Sequence, residues 1–287
     1  MNYIAMIQNR KSVREFLERD VPQSAVAEIE AYYNGECHRL LPEIGTSLRC
    51  FGRKVRAALE GSAGYENFLI GASEYLVLLS DKQPHAGENA GYIMEDLVLK
   101  LTEMGFDSCW ITFADAAKVK QALGIEGPMQ VAAIAAFGYG AKTAKKLRVN
   151  ILSMSHVDVA AKRQYFAPKR RIEDMVYLDS WGNGEGRDAF IGFYDDMLWQ
   201  AFYAAALAPS YLNRQPYGFL IQGSRVILVR RPDEQTDEAD AALGLGIVML
   251  HFAAVASSWA GSTAWKMGAP AGLVLPQGYT AVAEYAL

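Results

Sequence analysis

Apolar residues along this chain recur with two periods. Short continuous runs at residues 75–79, 131–137, 218–222 and 226–230 are bounded by glycine, serine or charged residues and read as buried strands. Residues 89–104 place Ile93, Leu97, Leu101 and Met104 at helical spacing, and Gly105 follows as a C-cap. Residues 239–258 carry a second such stripe, Leu243, Ile247, Leu250 and Ala254. Further helices are predicted at 3–9, at 22–33 with Pro22 in the first turn, at 114–123 and at 188–207. Residues 108–112 and 279–286 complete the predicted strands. Residues 35–67 show no period, and the basic stretch 142–171 reads as a connection between two halves.

The second half repeats the order of the first. The 239–258 helix corresponds to 89–104, residues 261–265 to 105–110, and the 279–286 strand to 131–139. The duplication lies in order rather than in identities. Strands alternate unevenly with helices, which predicts an α+β fold. The expected halves are residues 1–165 and 166–287.

Composition narrows the function classes. The 287 residues carry 28 Lys+Arg against 32 Asp+Glu, a net charge of -4, with 51% hydrophobic residues, so there is chain for a large core and no field for general nucleic-acid binding. Cys37, Cys50 and Cys109 make no disulfide framework and fit a reducing cytoplasm. The histidines are scattered and no CxxC or HExxH spacing occurs, which argues against a metal centre. Residues 239–259 are apolar, yet they hold Asp240, Gly244, Gly246 and His251, so a buried helix is expected there rather than a membrane span. Arg10, Lys11 and Arg14 follow the N-terminus with no apolar stretch between, unlike a signal peptide.

Three segments carry candidate chemistry. Arg10-Lys11-Ser12-Val13-Arg14-Glu15-Phe16 puts three cations around a hydroxyl, a grip for a phosphate. Residues 208–217, Ala-Pro-Ser-Tyr-Leu-Asn-Arg-Gln-Pro-Tyr, offer Ser210, Asn213 and Gln215 to a planar heterocycle on a turn stiffened by Pro209 and Pro216. Trp110, Ile111 and Thr112 end a short strand where an indole can cover a flat ring.

Together these segments resemble the FMN-dependent nitroreductase family. Its R-R-S-x-R-x-F is similar to residues 10–16, its A-P-S-x-x-N-x-Q-P-W to 208–217 with Tyr217 in place of Trp, its G-L-x-S-x-W-I to the region ending at Ile111, its L-G-Y-P to 137–140, and its basic K-R-K-P-L-x-x-x-V to 169–176. The order differs from an ordinary member, where the two first motifs lie within tens of residues. Family members are homodimers with FMN at the interface, so the resemblance implies a single-chain pseudo-dimer of two divergent halves. It implies one FMN held by Arg10, Lys11, Ser12 and Arg14 at the phosphate, with Arg170 and Arg171 adding charge and Lys145, Lys146 and Arg148 a second basic cluster for that role. Pro209, Ser210, Asn213 and Gln215 would reach the isoalloxazine edge across the interface, and Trp110, Ile111 and Thr112 would line the ring. No catalytic side chain is expected, because the flavin carries the chemistry from NADH or NADPH to a small electron-poor acceptor such as a nitroaromatic or quinone. A monomer would suffice for binding, with self-association still open. The alternatives are a flavin-binding or sensing protein without turnover, and an interaction module on an inherited scaffold.

Overall fold

The computed structural model describes residues 1–66, 68–141, 146–153, 156–162, 169–184, 196–260 and 264–287. The first sheet has four antiparallel strands in the order β1-β2-β4-β3: Thr46–Gly52, Glu74–Ser80, Gln130–Gly138 and Asp107–Ile111. The second adds strands to the sequence Lys266–Met267 (β10), Thr280–Ala286 (β11), Arg225–Arg230 (β9), Tyr217–Gln222 (β8) and Val176–Leu178 (β7), where β7 joins β8 in parallel. Counted within each half, β8-β9-β11-β10 repeats β1-β2-β4-β3. In both, one long helix connects the second strand to the third: α4 at Ala86–Glu103 and α7 at Glu238–Ala260. The other helices are α1 Tyr3–Asn9, α2 Gln23–Gly35, α3 Arg56–Leu59, α5 Ala116–Ala122 and α6 Asp196–Ala206.

The strands with continuous apolar runs are covered on both faces, and strand periodicity sorts their side chains. Leu76 and Leu78 of β2 face α2 and α4 with Ile29, Ile93 and Leu97, whereas Tyr75, Val77 and Leu79 face α3 and α5 with Leu59 and Val119. In the second sheet Phe219, Ile221 and Leu228 pack on α6 and α7, and Leu220, Ile227 and Val229 pack beneath Trp181 and Leu275.

The two halves meet where α4 crosses α7. A Cβ at Gly91 would lie 2.2 Å from the Leu243 carbonyl oxygen, and a Cβ at Gly246 would lie 1.9 Å from that of Glu88. Each glycine admits the backbone three residues before its counterpart, so the contact is reciprocal, as about a two-fold axis. Tyr92 and Leu99 of α4 enter the core of the second half, while Leu243 of α7 packs on the first. The 239–258 apolar stretch is therefore a core helix; it is long and apolar enough to cross a membrane, but 72% of its most apolar window is buried in the protein.

Several sequence expectations need correction. Residues 35–67 contain β1, an edge strand whose half-exposed pattern hides it from an apolar-run criterion. The basic connection contains a hairpin, Lys146–Ser153 paired with His156–Lys162. Its Leu147-Val149-Ile151 alternation is the period-two signal that the surrounding basic residues obscured. The α6 helix begins at Asp196 among the described residues; residues 188–195 of its expected span lie outside them, as do the 165/166 boundary and residues 261–263. Gly105 caps α4 as expected, with φ +84 and the Phe106 N–H donating to the Leu101 carbonyl.

Candidate functional site

Residues 12–17 lie along the edge of the first sheet. Ser12 bridges Ser108 in parallel, Val13 N–H donates to the Ser108 carbonyl, and Phe16 pairs with Gly140. This leaves Lys11, Ser12 and Arg14 exposed along the sheet edge, and turns Arg10 inward. Arg10 Nε lies 3.3 Å from Glu95 Oε1, and its Nη1 is 3.4 Å from Ser12 Oγ. Glu95 is fully buried on α4 and also accepts from Trp110 Nε1 at 2.8 Å. His251 of α7, likewise fully buried, holds its Nε2 2.9 Å from Glu95 Oε1, while its Nδ1 donates to the Ala204 carbonyl. Burial alone would push the Glu95 carboxyl up; Arg10, His251 and Trp110 overcome it and hold it below the usual carboxylate range.

The second half meets this cluster through Lys169 and Arg170. Lys169 Nζ donates to the Ala208 carbonyl, and the Arg170 N–H donates to Gln215 Oε1. Gln215 is only 1% exposed, and its Nε2 donates to the Ala206 carbonyl, so both ends of its amide hold backbone. Ser210 Oγ accepts from the Gln215 N–H. Leu212, Asn213 and Gln215 all have positive φ, between 45 and 58 degrees, a strained turn for residues with side chains. Burial and the adjacent Arg10 charge push the Lys169 ammonium down to about 8. Arg10 and Lys169 thus both lie within electrostatic reach of one buried carboxylate, Glu95, with Arg14 exposed farther out.

Other expected residues are placed less directly. Ile111 is a core side chain at 4% exposure. Thr112 Oγ1 donates to Asp240 of α7 at 3.2 Å, and burial followed by the neighbouring Asp237 raises the Asp240 carboxyl to about 6. Arg171 is exposed and paired with Asp174, and Pro209 begins the Ser210 turn. Lys145 lies outside the described residues, and Lys146 and Arg148 fall on the hairpin. The sequence reading missed Glu95, His251 and Lys169 as site groups. Their signal was partial: Glu95 and His251 each interrupt an apolar run of a helix, where a buried polar group must be paired, and Lys169 opens the basic 169–171 run.

A family model described as "Putative TM nitroreductase" matches residues 2–177, more than half the chain and all of the segment from Arg10 to Arg171. The chain belongs to this nitroreductase family. The solved structure of a "putative nitroreductase" from Thermotoga maritima is 19% identical, with a TM-score of 0.60 over 100% of this chain and 94% of that one. This extends the likeness of fold across both halves in a single chain. A nitroreductase family protein from Clostridium difficile (16% identity, TM-score 0.41) covers 51% of this chain and 88% of its own. Iodotyrosine deiodinase bound to FMN and 3-iodo-L-tyrosine (16% identity, TM-score 0.41) covers 54% and 98%. No curated protein matches the chain. Membership places this nitroreductase-family chain among the oxidoreductases and gives its fold as α+β with paired halves.

The site's charge is a test of whether FMN fits. Burial first, and then the Arg10 charge, depress the Lys169 ammonium against the opposing pull of Glu95, and a phosphate dianion beside Arg10 and Lys169 would favour both charges. Exposed Ser12 supplies a hydroxyl donor beside Arg14 and Lys11. The donor set therefore suits a terminal monophosphate.

Proposed function

We propose that the chain binds one FMN between its halves and carries two electrons from NADH or NADPH to a small electron-poor acceptor. The observation that carries this reading is the convergence of Arg10 from the first half with Lys169, Arg170 and the 208–215 turn of the second beside the buried Glu95 carboxylate. Arg10, Lys11, Ser12, Arg14 and Lys169 would hold the phosphate. Pro209, Ser210 and Asn213 would border the ring, with Gln215 fixing that border from beneath through Arg170. Trp110, locked by Glu95, would set the wall on the first half. FMN held there would supply the hydride chemistry between a nicotinamide donor and the acceptor. For a nitroaromatic the balance is ArNO2 + NAD(P)H + H+ giving ArNO + NAD(P)+ + H2O.

Purified protein should be yellow and release one FMN, not FAD, per chain, and it should oxidise NADH or NADPH only when an acceptor is present. Recovery of FAD, or of two FMN per chain, would refute the shared single site. One bound FMN without turnover would favour the flavin-binding alternative.

A further inference from the structure

Beyond Thr112 a second cluster joins the halves. Tyr65, on the loop that follows Gly61 in the first half, reaches Tyr211 in the Ser210 turn of the second. Gly64 donates its N–H to the Thr112 carbonyl at 2.8 Å, and at φ +105 a Cβ there would lie 2.1 Å from the Phe68 carbonyl oxygen, so the loop needs glycine to close on itself. Closure sets the Tyr65 and Tyr211 ring centroids 6.4 Å apart. Phe68, Leu212 and Tyr65 are 75%, 51% and 48% exposed, an unusual display of large apolar side chains on two facing loops. Backbone strain collects in the same place. Six non-glycine residues have positive φ among the described residues, and Glu66, Leu212, Asn213 and Gln215 are four of them.

The surroundings of this aromatic pair are acidic on balance: Arg214 and Arg230 are paired with Asp233 and Glu238, Lys118 holds the Gly61 carbonyl, and three further carboxylates remain. Asp240 accepts from Thr112, and Asp237 Oδ1 accepts from the Asp240 backbone N–H at 2.8 Å, which fixes the Asp237 carboxylate at the start of α7 near that of Asp240. Glu66 adjoins Tyr65. Burial, then the charges of Asp240, Tyr65, Asp237 and Glu66, push the Tyr211 phenol above its usual range, which places all of them within electrostatic reach of one ring.

We propose that Tyr65, Phe68, Tyr211 and Leu212 form the platform on which the acceptor lies, and that Glu66, Asp237 and Asp240 make it select uncharged or cationic aromatic acceptors over anionic ones. The inference rests on the flavin reading for its link to reduction, since Thr112 is the contact shared with the ring wall. The selectivity itself rests on the platform alone. Flat rings stack on exposed aromatics, and like charge beside the stacked ring is penalised at an exposed site in a salt-dependent way.

The test uses three acceptors of similar shape: 4-nitrobenzoate, 4-nitrobenzyl alcohol and (4-nitrobenzyl)trimethylammonium. With FMN-loaded full-length protein at low salt, KM for the benzoate should exceed that for the alcohol by about tenfold or more, and the cation should have the lowest KM. The ratio should shrink in high salt and fall to within about twofold in the Glu66→Gln, Asp237→Asn variant. Equal KM values in the unaltered protein, or a ratio untouched by the variant, would overturn the proposal. The same probes titrated against the protein without donor, followed by ligand-observed NMR, should show the cation bound more tightly than the benzoate, and Tyr65→Ala should abolish the difference. A protein that discriminates in this titration yet takes up no FMN would refute the flavin reading and keep the platform. One that takes up FMN and does not discriminate would do the reverse.

Discussion

Glu95 takes contacts from both halves on one carboxylate, with Arg10, Trp110 and His251 converging on its two oxygens. Removing one partner of a buried charged cluster strands the others without water. Glu95→Leu is therefore expected to cost about 3–5 kcal/mol, read as a lower urea midpoint. The same logic separates the two arginines of the phosphate motif. Arg14 is exposed, so Arg14→Ala should leave stability nearly unchanged while FMN affinity falls by about one to two decades, for a charge-assisted contact of about 1.5–3 kcal/mol. Arg10→Ala should weaken FMN and also lower the unfolding midpoint, because it uncovers the Glu95 charge. An unchanged FMN dissociation constant in the Arg10→Ala, Arg14→Ala double variant would remove both from the site. Asp240 gives a pH dependence of definite sign. Its folded pKa, about 6, lies above the usual aspartate value, so the native state keeps a proton that the unfolded chain has released. Its contribution to stability therefore falls as pH rises from about 4 to about 6 and stays lower above that. Asp240→Asn should match the parent near pH 4 and exceed it in melting temperature at pH 7 to 8, by an amount moderated by solvent. A variant less stable at pH 8 would show that the Thr112 hydrogen bond outweighs the desolvation.

At the scale of elements, the α4–α7 crossing rests on glycines in α7 with opposite expectations. Gly246→Ala drives a methyl into the Glu88 carbonyl, and backbone on both sides cannot yield as a flexible side chain would. Overpacking of this kind costs about 1–3 kcal/mol, more than the roughly 1 kcal/mol that alanine gains in helix propensity. Gly244 lies two residues earlier with open space where a Cβ would stand, so Gly244→Ala should be neutral or stabilising by up to about 1 kcal/mol. Chemical denaturation of the two variants checks the pair. Equal effects would mean that the helices do not cross at the distance described. The elements also explain the turn beside the site. With Gln215 spanning Ala206 and the Arg170 backbone, the strained residues 212–215 are held by α6 on one side and by the segment before β7 on the other.

The whole molecule is two sheets of the same strand order joined by one shared helical pair. Neither half covers its own long helix: Tyr92 and Leu99 of the first half are buried in the core of the second. Unfolding should therefore be a single event. Tryptophan emission, which reports Trp110 in the first half and Trp181, Trp199, Trp259 and Trp265 in the second, should change together with far-UV circular dichroism at one denaturant midpoint. Separate midpoints would mean that the halves are independent domains. Saturating FMN should raise that common midpoint, since a ligand gripped by both halves binds only when they are docked.

How much of this was written in the chain follows the range of the forces involved. Local period and turn chemistry marked α4, α7, β2, β4, β8 and β9, because covalent spacing alone decides which side chains share a face. They also marked the phosphate segment, where three cations and a hydroxyl lie within five residues. The duplicated order of elements was legible for the same reason. The partners were not. That Arg10 turns inward to Glu95, that Glu95 meets His251 from 156 positions away, and that Gln215 serves the Arg170 backbone depend on which surfaces pack together. β1 escaped because an edge strand buries only part of each side chain, and the hairpin because its basic neighbours masked a weak alternation. The opposition of Tyr65 to Tyr211 and the acids around them carries no sequence signal at all. It arises only when a loop of the first half and a turn of the second are brought together by the docking of the two halves.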